Sequence, residues 1–172
     1  MNVQKLTQKS AETIQNAQRL AVEYGNPQVE QEHLLSALTG EKDSLCAQLL
    51  SKMGVSLPDF SKAVQDAVNR LPKVSGGARE QDKIYIAREV DNALNEAETR
   101  ADRMRDDYIS VEHLMLGLMG KPSSETRALF TRFNITEQSF LSALKDVRGS
   151  ARVTSDTPEE TYEALKKYGQ DL

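Results

Sequence analysis

The sequence predicts an all-α protein in which two tandem four-helix repeats, related by a pseudo-twofold axis, precede a C-terminal linker helix. A duplicated motif, apolar residues at helical spacing, and Gly or Pro after each apolar run favour this fold. VEQEHLLSAL at residues 29–38 returns as ISVEHLMLGL at residues 109–118, so that His33 and His113 lie 80 residues apart. We therefore expect one helical unit that occurs twice.

The same offset aligns apolar positions far outside the motif, without a gap. The matched pairs include Ile14 with Leu94, Leu49 with Leu129, Val55 with Ile135, and Phe60 with Phe140. The charged residues between these positions differ freely. A duplicated hydrophobic core with diverged surfaces has this pattern, so the repeat is a signal of fold and not of catalysis.

In repeat one, each predicted helix ends where Gly or Pro disfavours further helix. The helices are expected at Lys5–Glu23 and around residues 34–38, 45–50 and 57–71, ending before Gly25, Gly40, Gly54 and Pro72. Thr7 or Ser10 can cap the first helix, because a hydroxyl oxygen accepts a hydrogen bond from an amide that lacks a partner in the first turn.

Repeat two restarts the helical pattern after a Gly-containing linker. A long helix is expected from Ile86 to Met104, and Asp106-Asp107 breaks it. Ser110 can cap the next helix, which carries His113. Two further helices are expected around residues 129–133 and 140–147. No segment has a convincing strand pattern.

These elements divide the chain into a double-repeat domain at residues 1–148 and a flexible linker at residues 149–172. Repeat one is expected at about residues 5–71, a short connection at 72–79, and repeat two at about 80–148.

The final segment lies outside the duplication. Thr157-Pro158-Glu159-Glu160 has the order of a capping box with Pro at the first helical position, and it predicts the linker helix. A helix of this length is marginal by itself in water, so we expect the segment to lead into a further module.

Composition excludes several classes of function. The net charge is −4, and acidic and basic residues are mixed, so no basic face for nucleic acid is expected. The single cysteine, Cys46, excludes an internal disulfide and fits a reducing compartment. The N terminus lacks the apolar region of a signal peptide, and no stretch approaches the ~18 apolar residues of a membrane span. A cytoplasmic protein with neither nucleic acid nor membrane as partner is expected.

No catalytic or metal-binding constellation is visible. His33 and His113 lack H-E-x-x-H spacing, and we expect them partly buried, with ring nitrogens bonded to the backbone. Cys46 is expected to pack as a small hydrophobic residue. Glu32 and Glu112 stand in first helical turns, where the helix dipole favours a carboxylate. No phosphate-cradling loop occurs, so neither catalysis nor a cofactor is expected in this chain.

Two packed bundles leave a junction at which a groove for a peptide can form. We expect this groove between the first long helices of the repeats, around Leu6–Ala21 and Ile86–Ala101. Its predicted apolar lining is a subset of Leu6, Ile14, Ile86, Val90, Leu94, Tyr108 and Ile109. The competing interpretation is that Leu94 and its neighbours form a closed core.

The doubled pattern A-x3-A … EHLL-x2-L … LL-x3-G resembles the Clp N-terminal repeat domain of the Clp unfoldases. NRLPKVSG at residues 69–76 and TYEALKKYGQDL at residues 161–172 resemble the disaggregating branch of this family more than its protease-coupled branch. The resemblance covers the whole chain. It implies a substrate-recruiting domain that leads into an AAA+ ATPase module, which this chain lacks.

The resemblance also implies partners. The domain is expected to bind exposed apolar segments of unfolded or aggregated proteins and to deliver them to its own AAA+ modules, arranged as a homohexamer that uses ATP and Mg²⁺. Co-operation of the full-length protein with the DnaK chaperone system is implied as well. The family's important polar positions fall on Thr7, Asp106 and Glu112, which we expect at the rim of the groove or in its bracing loops.

Two alternatives of different classes stay open. One is an adaptor-docking domain of a protease-coupled Clp unfoldase, in which a folded partner replaces the apolar segment. The other is a stand-alone enzyme whose site has no recognisable motif.

Overall fold

The structure, a computed structural model, describes residues 1–74, 84–149 and 151–159. Residues 75–79 of the predicted connection and the body of the predicted linker helix, from residue 160 onwards, lie outside the described residues.

Helices in the described residues form two sets of four that follow the same order. The first set is α1 (Gln8–Glu23), α2 (Gln31–Thr39), α3 (Leu45–Lys52) and α4 (Leu57–Asn69). The second set is α5 (Arg88–Arg103), α6 (Val111–Gly120), α7 (Ser124–Arg132) and α8 (Glu137–Arg148). A short 3₁₀ helix at Val3–Lys5 precedes α1. The prediction of an all-α fold made of two four-helix repeats is confirmed.

Two very short strands join the halves. Strand β1 (Gln28–Val29) pairs in parallel with β2 (Tyr85–Ile86), and an isolated parallel bridge joins Leu6 to Ile109. The two pairings are related by the repeat, since Val29 corresponds to Ile109 and Ile86 corresponds to Leu6. Each half therefore places the segment before its long helix against the other half, as a pseudo-twofold axis requires.

Backbone hydrogen bonds extend this exchange into the helix starts. The amide of Thr7 donates to the carbonyl of Ile109 at 3.0 Å, and the amide of Ala87 donates to the carbonyl of Val29 at 2.9 Å. Thr7 and Ala87 are the N-cap residues of α1 and α5, and both have extended backbone angles. The cross-half bonds thus fix where each long helix begins.

The prediction that the long helices start at Lys5 and Ile86 is wrong for this reason. Ile86 lies in β2, and α5 begins at Arg88. The backbone before each helix bonds to the opposite half, and helical periodicity alone carries no information about a partner 80 residues away. Thr7 caps α1 as expected, since its hydroxyl oxygen accepts a hydrogen bond from the amide of Ser10 at 3.1 Å.

One hydrophobic core runs through both halves. The largest fully buried side chains include Leu35, Leu49, Phe60, Leu114, Met115 and Phe140. Phe60 of the first half packs edge-to-face on Phe133 of the second, with ring centroids 5.2 Å apart. Because the core is shared, neither half buries its apolar face alone.

A buried glutamine also ties the halves together. The side-chain amide nitrogen of Gln31 donates to the carbonyls of Glu89 and Lys121 at 2.8 Å each. Its carbonyl oxygen accepts from the amide of Ser123 at 2.8 Å. Gln31 is fully buried, and these contacts satisfy its amide inside the core.

The two long helices are not equally close to their neighbours. A Cβ added to Gly117 of α6 would lie 2.1 Å from the carbonyl oxygen of Ala93 in α5. The repeat equivalent of Gly117 is Ala37, which the first half accommodates half-buried. The helices α5 and α6 can therefore approach closely only because position 117 is Gly.

We expect Gly117→Ala to lower the free energy of unfolding by roughly 3 kcal/mol, because the new methyl group collides with the backbone. Urea denaturation followed by circular dichroism measures this change. Ala37→Gly is the matched control and should cost only about 1 kcal/mol, mainly through helix propensity. Equal effects at the two positions would contradict the close contact at Gly117.

Candidate functional site

The two histidines hold the same position in the two halves. The backbone amide of Glu30 donates to Nδ1 of His33 at 2.9 Å, and Nε2 of His33 lies 2.8 Å from Oδ1 of Asn26. Since Nδ1 accepts a hydrogen bond, the ring proton belongs on Nε2. Burial lowers the pKa of His33 to about 4, so the ring is neutral at neutral pH.

His113 repeats this arrangement with one change. The amide of Ser110 donates to Nδ1 at 2.9 Å, but Nε2 lies 2.7 Å from a carboxylate oxygen of Asp106. The expectation of backbone partners holds for Nδ1 and is wrong for Nε2, which bonds to a side chain. Both rings are fully buried rather than partly so. Their role is to close the start of a helix and to hold the preceding loop.

Asp106 has a second strong partner, Arg148 at the end of α8. The guanidinium contacts both carboxylate oxygens, with Nη2 at 2.6 Å and Nη1 at 3.0 Å. Nη1 also lies 3.5 Å from Oε2 of Glu112, and the hydroxyl of Ser110 donates to the same carboxylate group. We call Asp106, Ser110, Glu112, His113 and Arg148 the buried polar cluster.

The environment of Asp106 keeps its carboxylate ionised. Burial by itself would raise the pKa, but hydrogen bonds from His113, Arg148 and the amide of Val153, with the positive charge of Arg148, lower it to about 2. The pair is therefore a charged one, desolvated but well supplied with hydrogen bonds.

The first half lacks this cluster, although it has the same fold. Asn26 stands where the second half has Asp106, and Val68 stands where it has Arg148. Glu32, the counterpart of Glu112, thus has no arginine at the equivalent position. Burial, reinforced by the charges of Glu30, Glu125 and Glu89, raises the pKa of Glu32 to about 7. Only the second half carries a charged centre.

The structure separates the predicted binding residues into three groups. Val90, Leu94 and Ile109 are buried in the core, at most 4% exposed, and offer no accessible surface in this conformation. Leu6, Ile14 and Tyr108 are half-buried, and Ile86 is 39% exposed. Thr7, Asp106 and Glu112 are buried, so they brace the loops and do not form a rim. A binding role for the set stays a prediction.

Pairing across the halves brings several of these residues together. Leu6 and Thr7 lie against Ile109 through the parallel bridge, beside the start of α6 that carries Glu112. Ile86 lies at the equivalent junction on the other side, against Val29. Leu6 and Ile86 therefore lie at two separate, repeat-related junctions.

Sequence reasoning did not single out two residues, Arg148 of the buried polar cluster and the exposed Tyr85. Arg148 looks like an ordinary basic residue at a helix end, and only its repeat partner Val68 marks the position as buried. Tyr85 in β2 is 71% exposed, which is unusual for a large aromatic side chain. Comparing the two repeats position by position could have found Arg148; nothing in the local pattern points to Tyr85.

A cavity of about 290 Å³ lies between α1, the loop from α2 to α3, and residues 156–159. Its charged lining is mostly acidic: Lys9, Glu12, Glu41, Asp43, Asp156 and Glu159. Within the described ranges, no group of three or more His, Cys, Asp or Glu side chains is arranged to hold a metal ion. None of the described helices is both long and apolar enough to cross a membrane.

Comparison with known proteins identifies the fold. The Clp repeat (R) N-terminal domain matches residues 5–133. The chain is 40% identical over 172 residues to the chaperone protein ClpB of Bacillus anthracis, covering 100% of this chain and 20% of that protein. The chain belongs to the Clp repeat N-terminal domain family. The family predicted from the doubled motif is confirmed.

Solved structures show the same architecture for this Clp repeat domain. The Hsp104 N-terminal domain from Candida albicans superposes with a TM-score of 0.78 at 20% identity, covering 90% of this chain and 99% of that one. The N-terminal domain of the chaperone ClpD from Arabidopsis thaliana gives 0.64 at 20% identity, covering 84% and 97%. The chain spans about a fifth of the length of its ClpB relatives.

Asp106→Asn should destabilise the Clp repeat domain by about 3 kcal/mol near neutral pH, because it leaves Arg148 buried with its main partner uncharged. Since the folded pKa of Asp106 lies near 2, below its ordinary value, the stabilisation is present above about pH 4 and is lost as the pH falls towards 2. The difference between variant and parent should shrink over that range.

Urea denaturation at several pH values measures this difference. Asp107→Asn, a change at the exposed neighbouring carboxylate, is the control and should alter stability by no more than about 0.5 kcal/mol. A variant as stable as the parent at neutral pH would show that the buried polar cluster adds nothing to the fold.

Proposed function

We propose that this chain is the substrate-recruiting N-terminal domain of an ATP-dependent disaggregating chaperone, and that it binds exposed hydrophobic segments of unfolded or aggregated proteins. The similarity to ClpB along the whole chain is the observation that carries the proposal. ATP hydrolysis and threading belong, in this proposal, to AAA+ modules outside this chain, arranged as a hexamer, and the bound segment is delivered to them.

Exposed apolar side chains at a junction of the halves support this proposal. Ile86 and Tyr85 project from β2, where they are 39% and 71% exposed. Leu6 and Tyr108 are half-buried at the equivalent junction. Apolar burial is non-directional, so such surfaces suit clients that share only hydrophobicity and no defined sequence.

The expected affinity is low. Burying ~300 Å² of apolar surface yields about 7 kcal/mol before the cost of ordering the client. Binding in the micromolar range or weaker follows. Several copies on one ring would gain through avidity and would still release the client to the pore.

A second candidate is docking of a folded adaptor. The fold is shared with the N-terminal domain of ClpD, which is described as a chaperone associated with a caseinolytic protease. The two candidates differ in their ligand, since a folded adaptor presents a fixed surface and an unfolded client does not. Titration with the same test protein in its unfolded and native states separates them.

Ile86→Asp should weaken binding of reduced, carboxymethylated α-lactalbumin by about tenfold, because a carboxylate cannot be buried against an apolar segment without a large desolvation cost. Leu141→Asp is the matched control. Leu141 in α8 is also 39% exposed and lies outside the predicted set, so its affinity should stay at the parent level. NMR shift titration of each variant, with circular dichroism as a check of folding, gives the dissociation constants.

Equal binding by the parent and Ile86→Asp would remove this junction from the client site. Binding of native α-lactalbumin as tight as that of the unfolded form would contradict recognition of exposed hydrophobic segments.

A further inference from the structure

The residues that follow α8 turn back over the start of α1 and the loop before α6. The amide of Asp107 donates to the carbonyl of Val153 at 2.8 Å, and the amide of Val153 donates to Oδ1 of Asp106 at 2.9 Å. Further along, the amide of Gln8 donates to the carbonyl of Asp156 at 2.9 Å. We call residues 151–159 the strap.

The strap lies on Thr7, Asp106 and Glu112, the polar positions to which the resemblance to the Clp repeat family assigns importance. It bonds directly to Asp106, and it bonds to Gln8, the residue after Thr7. Glu159 lies close enough to Thr7 and Glu112 for each to affect its pKa. With the strap in place, Thr7 and Glu112 are fully buried and Asp106 is 7% exposed.

The contacts of residues 151–157, the non-helical part of the strap, are those of a peptide segment on a docking surface. Main-chain groups pair with amides of two separate elements, and one apolar side chain, Val153, is fully buried. The side-chain amide of Gln8 adds a bond to the carboxylate of Asp156 at 3.1 Å. Any extended segment with a β-branched or aliphatic residue at the place of Val153 could make the same main-chain bonds.

One feature opposes docking of the strap. Glu159 is 6% exposed, and neither carboxyl oxygen makes a close hydrogen bond; the Thr7 side chain and the local backbone are near enough only to offset part of the cost of burial. A carboxyl group buried in this way is unfavourable in either protonation state, and more so when it is ionised. The charge of Glu112 lies near it, so the strap is held by a few bonds and opposed by its own last residue.

We propose that the strap is an intramolecular competitor that covers the surface around Thr7, Asp106 and Glu112, and that an extended client segment binds there by displacing it. This inference rests on the proposed function, because it assigns a built-in occupant to the junction of Leu6 with Ile109, the second of the two junctions that present apolar side chains. Release need not unfold either half: it breaks the bonds of Arg148 to the Ala151 carbonyl and of Asp106 to the Val153 amide, whereas the bonds of Asp106 to Arg148 and His113 do not involve the strap.

Docking of the strap should depend on pH. Burial, reinforced by the charge of Glu112, raises the pKa of Glu159 to about 8, and Thr7, the local backbone and Lys9 lower it only in part. Cys46 of α3, whose own pKa its charge helps to raise, lies near it, and Glu12, Glu41, Asp43 and Asp156 line the same cavity. Because the docked pKa is above the ordinary value, docking is strongest below about pH 4.5 and weakens as the pH rises through 8.

Amide hydrogen exchange reports docking without any client. The amides of Gln8 and Asp107 bond to carbonyls of the strap, whereas those of Thr7 and Ile109 bond across the halves and serve as internal references. After correction for intrinsic exchange, protection at Gln8 and Asp107 should fall between about pH 4.5 and pH 8 in the parent and change little above that range. It should stay constant in Glu159→Gln, whereas Glu23→Gln at the far end of α1 should behave as the parent does.

The same variants test competition. Glu159→Gln removes the ionisable group, so the strap should dock more firmly and unfolded α-lactalbumin should bind about threefold to tenfold more weakly. Val153→Ser should expose the Gln8 and Asp107 amides and strengthen client binding. If Glu159→Gln gains protection while client affinity is unchanged, the strap does not cover the client site.

Two other results would also overturn the inference. Unprotected Gln8 and Asp107 amides in the parent, beside protected references, would mean that the strap does not dock. If no variant binds unfolded protein, Val153→Ser included, the proposed function fails and competition fails with it. Exchange in the absence of client still shows whether the strap docks, so the two failures are distinguishable.

Discussion

The fold depends on the reciprocal pairing of the two halves. Leu6 forms a parallel bridge with Ile109, and Ile86 pairs in parallel with Val29. The segment before each long helix is therefore fixed by the opposite half. These pairings set the N-caps at Thr7 and Ala87 and aim α1 and α5 into a common core. A single repeat would have no partner for the segment before its long helix, and its apolar face would be exposed to solvent. This explains why the unit occurs twice in one chain.

Duplication also explains the asymmetry of the candidate site. Both halves use a histidine to close the start of the second helix, but in one half the ring bonds to the side-chain carbonyl oxygen of Asn26 and in the other to the carboxylate of Asp106. The positive charge of Arg148 keeps the buried carboxylate of Asp106 ionised, whereas the first half has Val68 at the equivalent position. Asp106 of this charged centre also accepts a hydrogen bond from the amide of Val153 in the segment after α8. The strap bonds to this charged centre in the second half and to Gln8 in the first half.

Local chemistry explains which features the sequence could predict. Helix ends at Gly40 and Gly54, the cap at Thr7 and the duplicated core follow from neighbours within a few residues, and these agree with the structure. The pairing of Ile86 with Val29 and the burial of Arg148 depend on residues far away in the chain, and periodicity does not encode them. An apolar stripe on a helix suits a groove or a closed core equally well. Whether Val90 and Leu94 are accessible or buried therefore depends on contacts with distant parts of the chain.

Hydrogen exchange in mild denaturant tests most directly whether the halves form one co-operative unit. The amides of Thr7 and Ala87 report the two pairings separately, because each donates to a carbonyl of the opposite half. Reciprocal pairing predicts that both open with the same free energy, equal to that of global unfolding, and with the same denaturant dependence. If one of the two amides exchanged through partial unfolding, with a lower opening free energy than the other, the mutual dependence of the halves would be contradicted.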